Sequence, residues 1–198
     1  KMKAAYLPIA AIAGTVLFFD LGQIFRRGGY LMAMETWTID AGYGSDDMAA
    51  FISSEGEIAI YRGTDPASAS TWALVGVYYV GSPIGRRCAT KFAGDALLIN
   101  RDGLLPFSKA LTSNRVDSKV ALTDKIQSAI SSAASLYASN FGWQIQLYPS
   151  EDMLILNIPI SSTVSHQYVM NTLTGSWCRF IGWNAACWVL FNDKIYFG

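Results

Sequence analysis

Short apolar runs, broken by Gly, Asn, Asp and Pro, recur along this chain, which is the pattern of strands and turns. Four stretches share one design: an apolar strand ending near an aromatic residue, a polar turn carrying an acid, then a second apolar strand. They are "MAAFISSEGEIAIYRG" (48–63), "ATKFAGDALLINRDG" (89–103), "IQLYPSEDMLILNIP" (145–159) and "WVLFNDKIYFG" (188–198). With Phe51, Phe92, Tyr148 and Phe191 as markers, the intervals are 41 residues (51 to 92), 56 (92 to 148) and 43 (148 to 191). Two of the three match the roughly 40 to 45 residue period of propeller blades, each a four-stranded antiparallel sheet. A tryptophan five residues before a glycine also recurs, as Trp37 to Gly42 and Trp177 to Gly182, with Trp72 to Gly76 a looser match. "NTLTGSW", ahead of Trp177, reads as a tight turn between outer strands.

The long interval holds the one helical pattern. Leu122, Ile126, Ile130, Ala133 and Tyr137 share a face, with Thr123 as the expected cap and Asn140 to Gly142 as the stop. The expected fold class is therefore all-β: a single domain over 1–198, a partial set of propeller-like blades with a helical insertion at about 118–140. Phe197-Gly198 corresponds in this scheme to Tyr61-Arg62-Gly63, so the chain is expected to stop inside a repeat and to belong to a longer polypeptide.

A membrane reading of the N-terminal segment does not hold. The apolar run from Ala4 to Phe19 is shorter than the ~20 residues of a spanning helix and contains Pro8, Gly14 and Thr15. From Gly14, "GTVLFFDLG" has the β-branched and aromatic content of a buried strand.

With 52% hydrophobic and 13% aromatic residues, the chain can bury a core. Fifteen basic and fifteen acidic residues cancel, so bulk charge recruits neither nucleic acid nor anionic membrane. Cys88, Cys178 and Cys187 lack metal or disulfide-scaffold spacing and read as buried thiols. Pairing of Cys178 with Cys187 across neighbouring strands under oxidation stays open.

No constellation of catalytic residues stands out. Glu55, Asp95, Glu151, Asp152 and Asp193 sit one or two to a hairpin turn, as turn formers do, rather than as the facing pair of a glycosidase. "DAGYGSDD" (40–47) lacks the ligand ladder of a calcium loop. Gly42-Tyr43-Gly44 lacks the third glycine of a dinucleotide fingerprint, and no Walker A motif is present. His166 is the single histidine, which excludes a multi-histidine metal centre, and it has no Gly-x-Ser-x-Gly partner. Arg26-Arg27 and Arg86-Arg87 read as solvated edge charges, with phosphate contacts as the alternative. The tryptophans read as core, apart from Trp183, which breaks the repeat and is the candidate for an exposed contact. No catalytic, cofactor-binding or metal residue is assigned.

At the level of motifs the chain resembles propeller-bearing structural proteins of bacteriophage tails, the tail accessory or nozzle proteins of short-tailed phages, some described as stabilising packaged DNA. The likeness rests on "GGYLMAMETWTIDAGYGSDDMAAFISSEGEIAIYRGTDP", "GVYYVGSPIGRR", "LINRDGLLPFSKAL", "LTDKI" and "YVMNTLTGSWCRFIGWNAACWVLFNDKIYFG", more than half of the chain. It implies a non-enzymatic virion component, assembled in the bacterial host cytoplasm. Such a component packs against copies of itself and neighbouring tail or portal proteins, with passive DNA contact in a channel and no membrane. The alternative is a carbohydrate-binding or carbohydrate-cleaving propeller, such as a receptor-binding tail adhesin.

Overall fold

Pro8 and the left-handed Gly14 (φ 128°) break the N-terminal apolar run into two arms, β1 (Lys3–Tyr6) and β2 (Leu17–Asp20), which pair antiparallel. The computed structural model describes residues 1–40, 45–110 and 121–198. The four-stranded sheet that follows takes β3 (Leu31–Asp40), β4 (Ser45–Ser53), β5 (Glu57–Gly63) and β6 (Trp72–Tyr79) in chain order. A three-stranded sheet comes next, β7 (Ala89–Phe92), β8 (Asp95–Asn100) and β9 (Gly103–Pro106), running into a one-turn helix α1 (Phe107–Ala110). The helix α2 (Gln127–Tyr137) precedes a second four-stranded sheet of β10 (Gln144–Tyr148), β11 (Met153–Pro159), β12 (Ser165–Asn171) and β13 (Trp177–Ile181). The last pair is β14 (Trp188–Phe191) with β15 (Lys194–Phe197). The protein is thus mostly β, built from antiparallel sheets whose strands neighbour one another in chain order, with one helix of more than a single turn among the described residues.

The middle sheets are covered on both faces, which explains their unbroken apolar runs. On β5, Ile58 and Ile60 join a core with residues of the 89–106 and 144–181 sheets, while Ala59 and Tyr61 join another with Ala4, Leu21 and Phe25. On β11, Leu154, Leu156 and Ile158 face the first of these cores, and Ile155 packs with Val169, Ala185 and Trp188 on the other side. The five sheets are therefore layered face to face in chain order. The first strands of the last four lie side by side: β3 against β7, β7 against β10, and β10 against β14.

Aromatic residues join the first two layers. Phe19 of β2 meets Tyr61 edge-on at 5.1 Å, and Tyr61 stacks on Trp72 at 5.4 Å. Gly56, in the β4–β5 turn, has φ 82°, and a Cβ there would stand 2.2 Å from the Gly81 carbonyl carbon. Only glycine permits that approach of two turns.

All four hairpins read from the sequence form, but they are not equivalent. The 48–63 hairpin is β4–β5, the second and third strands of its sheet, whereas the other three are the first and second strands of theirs. Phe51 therefore belongs to a different layer position from Phe92, Tyr148 and Phe191. The tryptophans are also reordered: Trp72 and Trp177 each begin a fourth strand, while Trp37 lies on a first strand, packed edge-on against Phe107 at 6.1 Å. The looser match was the structural one for the tryptophans, although Gly76 lies within β6 and Gly182 follows the end of β13.

The helical segment begins with a single 3₁₀ turn, Asp124–Ile126, and buries Ile130, Ala133 and Ala134 against the main core. Thr123 does not cap it. Its hydroxyl instead accepts the N–H of Leu104 at 3.1 Å, tying the helix approach to β9. Asn140 donates to the Pro159 and Ile160 carbonyls beyond the helix end.

Candidate functional site

Side-chain amides in β10, β11 and β12 form the most ordered polar constellation. Gln144 pairs with Asn157 across β10–β11, and Asn157 with Gln167 across β11–β12, so the three share one face. All are buried. Gln144 acts as a short strand: its Oε1 accepts the Trp188 N–H at 2.9 Å, and its Nε2 donates to the Trp188 carbonyl at 2.7 Å. Asn157 donates to the carbonyls of Gly142 (2.8 Å) and Ala185 (3.0 Å) and accepts from Gln167 Nε2 (2.8 Å). Gln167 also donates to the Trp183 carbonyl, and Ser165 Oγ to that of Ala185, each at 2.8 Å. Neutral amides that satisfy buried backbone carbonyls fasten one sheet to the next. They offer no nucleophile and no acid.

A related device appears earlier in the chain. Asn100, at the end of β8, donates to the Val80 carbonyl. The buried Glu57 carboxylate accepts the backbone N–H groups of Arg26 and Arg27 at 3.2 and 2.9 Å. The loop entering each of these sheets is thus held by a side chain of that sheet.

All four paired arginines are exposed, and one of each pair is more engaged than a solvated edge charge. The Arg27 guanidinium lies 3.7 Å from the Tyr79 ring centroid, a cation–π contact. Arg87 donates to Gln144 Oε1 (3.1 Å) and to the Ala186 carbonyl (3.3 Å), with Phe141 5.8 Å away. Arg86 is exposed beside it.

The turn acids divide. Asp152 and Asp193 occupy left-handed turn positions, with φ 50° and 55°. Asp95 has left the turn for the first position of β8, where it accepts from the backbone and hydroxyl of Ser108 at the start of α1. Glu57 is the carboxylate that lines one of the surface cavities, with Arg26, Gln23, Ile24, Leu74 and Val77. Its oxygens already serve Arg26 and Arg27. Among the described residues no three His, Cys, Asp or Glu side chains cluster as metal ligands. Part of the 40–47 loop lies outside the described residues. His166 is on β12, opposite Ile158 and Ile181.

All three cysteines are free: Cys88 is buried, Cys187 half-buried and Cys178 exposed. Cys178 departs from the buried expectation because β13 is the outermost strand of its sheet. Burial pushes the Cys88 thiol up to about 12. Trp183 is exposed, as expected, at the rim of an aromatic group with Phe180, Trp188 and Phe197. No described helix is long and apolar enough to cross a membrane. No protein-family model matches the chain, and no curated protein matches it in sequence.

What sequence reading missed is the exposed Phe141 and the amide ladder. Asn157 stands alone within the apolar run "LILNIP", while Gln144 is followed by Gln146, and Gln167 by an apolar stretch after Ser165-His166. An Asn or Gln inside such a run is the available signal, because a buried amide must find partners.

Proposed function

We propose that this protein is a non-enzymatic structural component of a phage tail or neck, built of β-propeller-like blades. In this reading rigid sheets present loops to other copies and to neighbouring tail or portal proteins, around a conduit for DNA. The observation that carries it is the layering of antiparallel sheets in chain order, with the first strands of the last four sheets side by side. That arrangement is what blades around an axis require, each burying its faces on its neighbours. The tail assignment rests on the motif resemblance, and the polar contacts support a scaffold rather than a catalyst, since they are spent on backbone groups between layers. Fold alone does not define function.

Two measurements test it. Peptide mass spectrometry of virions purified from a producing culture is expected to recover this chain at a stoichiometry of several copies per particle. Electron microscopy of the purified protein is expected to show radial blades around a central opening. Recovery only in the soluble host fraction removes the virion assignment, and a sandwich without radial order removes the propeller.

A further inference from the structure

Phe141, between α2 and β10, is 75% exposed, with Arg87 5.8 Å from its ring centroid. Two surface cavities meet at it, sharing Ser139, Asn140 and Phe141. One, of about 430 Å³, is bounded by Arg86 and Arg87; the other, of about 370 Å³, is bounded by Ser161 to Thr163 and Asn184. Each falls within the ~300 to 1,000 Å³ range of small-ligand sites.

We propose that this double cleft binds an oligosaccharide carrying an acidic sugar, with Phe141 as the ring platform and Arg86 holding the carboxylate. No carboxylate side chain lines either cavity, and the cations are confined to one end. The other end is hydroxyl and amide, without charge. A ligand that fits has one anionic unit and a polyhydroxylated remainder with an apolar ring face. A polynucleotide carries a phosphate at every unit, so its second phosphate would fall on the uncharged half.

The polar walls are pre-set rather than floppy, which lowers the ordering cost of binding. Asn140 is anchored through Nδ2 to Pro159 and Ile160, and Asn184 through Oδ1 to the Ser165 N–H. Each has its other amide atom unspent among the described residues. Arg87 is held by Gln144 and Ala186, which leaves Arg86 as the adaptable cation. This site does not depend on the tail assignment.

The test is binding of the purified protein to an array of uronate- and sialate-bearing oligosaccharides, their neutral counterparts and a single-stranded oligothymidylate, with calorimetry on the best array ligand. The expected result is an acidic oligosaccharide bound at least tenfold more tightly than its neutral counterpart. Phe141→Ala and Arg86→Gln should each weaken it at least tenfold. Both side chains are exposed, so the melting temperature of each variant should stay that of the parent. The proposal is overturned by an array with no acidic ligand at millimolar concentration, by equal binding of the neutral counterpart, by preference for the oligothymidylate, or by variants that bind like the parent.

Discussion

Glu35, half-buried on β3, shows what a single ionisable side chain contributes. Burial raises its carboxyl above the ordinary 4.5, against the opposing pull of Lys91 on β7 and a backbone hydrogen bond at Thr36. The folded state therefore holds the proton more tightly than the unfolded chain, and stability falls as pH rises from the unfolded value through the folded one. Glu35→Gln is expected to be more stable than the parent near neutral pH, with the difference shrinking as pH drops below 4.5. Denaturant midpoints across that range check it; a gap independent of pH would assign the effect to something other than ionisation. Cys88 supplies a second residue-scale prediction. A fully buried thiol raised to about 12 is unreactive as a nucleophile. In native protein an aromatic disulfide reagent is expected to label Cys178 and Cys187 and to reach Cys88 only after denaturant is added. Rapid labelling of all three would show that the core around Cys88 opens. The sequence pointed to burial for all three cysteines, and a count with no spacing cannot tell a core strand from an outer one.

At the scale of elements, the β10–β12 amide ladder is the joint between two layers. Asn157 is fully buried and makes three hydrogen bonds, two of them to carbonyls outside its own sheet ladder. Truncation leaves those groups unpaired, at about 1–3 kcal/mol for each buried orphan, eased by any water that enters. Asn157→Ala is expected to cost about 3 kcal/mol in equilibrium unfolding. In a double-mutant cycle with Gln167→Ala the losses should fall short of additive, because the two amides share a bond. Strict additivity would mean that the ladder does not act as a unit. The hairpins themselves were readable: "FNDK" sets Asn192 and Asp193 at φ 48° and 55°, the mirror-image turn that matches strand twist. Which hairpin occupies which layer position was not readable, since β4–β5 and β7–β8 carry the same local pattern while their places differ by one strand.

For the whole molecule, the unsatisfied feature is the outer strand β6. It carries no charged residue, and Leu74, Val75 and Val77 are each at least 40% exposed. Natural edge strands are usually protected by charge, proline or bulges; β6 has its irregular register but neither charge nor proline, and its exposed apolar residues invite pairing with another chain. The protein is expected to run above 21.6 kDa in size-exclusion chromatography with light scattering, and Val75→Lys to shift it toward monomer. A sharp monomer peak for the parent at micromolar concentration contradicts this. Such self-association is also what assembly around an axis needs, so the same measurement bears on the proposed tail role.

Alternating and continuous apolar runs, with Gly, Asn and Asp between them, determined by themselves that this chain forms antiparallel hairpins and one amphipathic helix, because strand period, helix period and turn chemistry are all local. The tertiary structure alone decided which faces are covered, which strand starts each sheet, and what the isolated polar residues do. Gln144 meets Trp188 and Arg87 meets Gln144 across separations of 44 and 57 residues. Contacts of that reach depend on how layers stack, and no short stretch of sequence contains them.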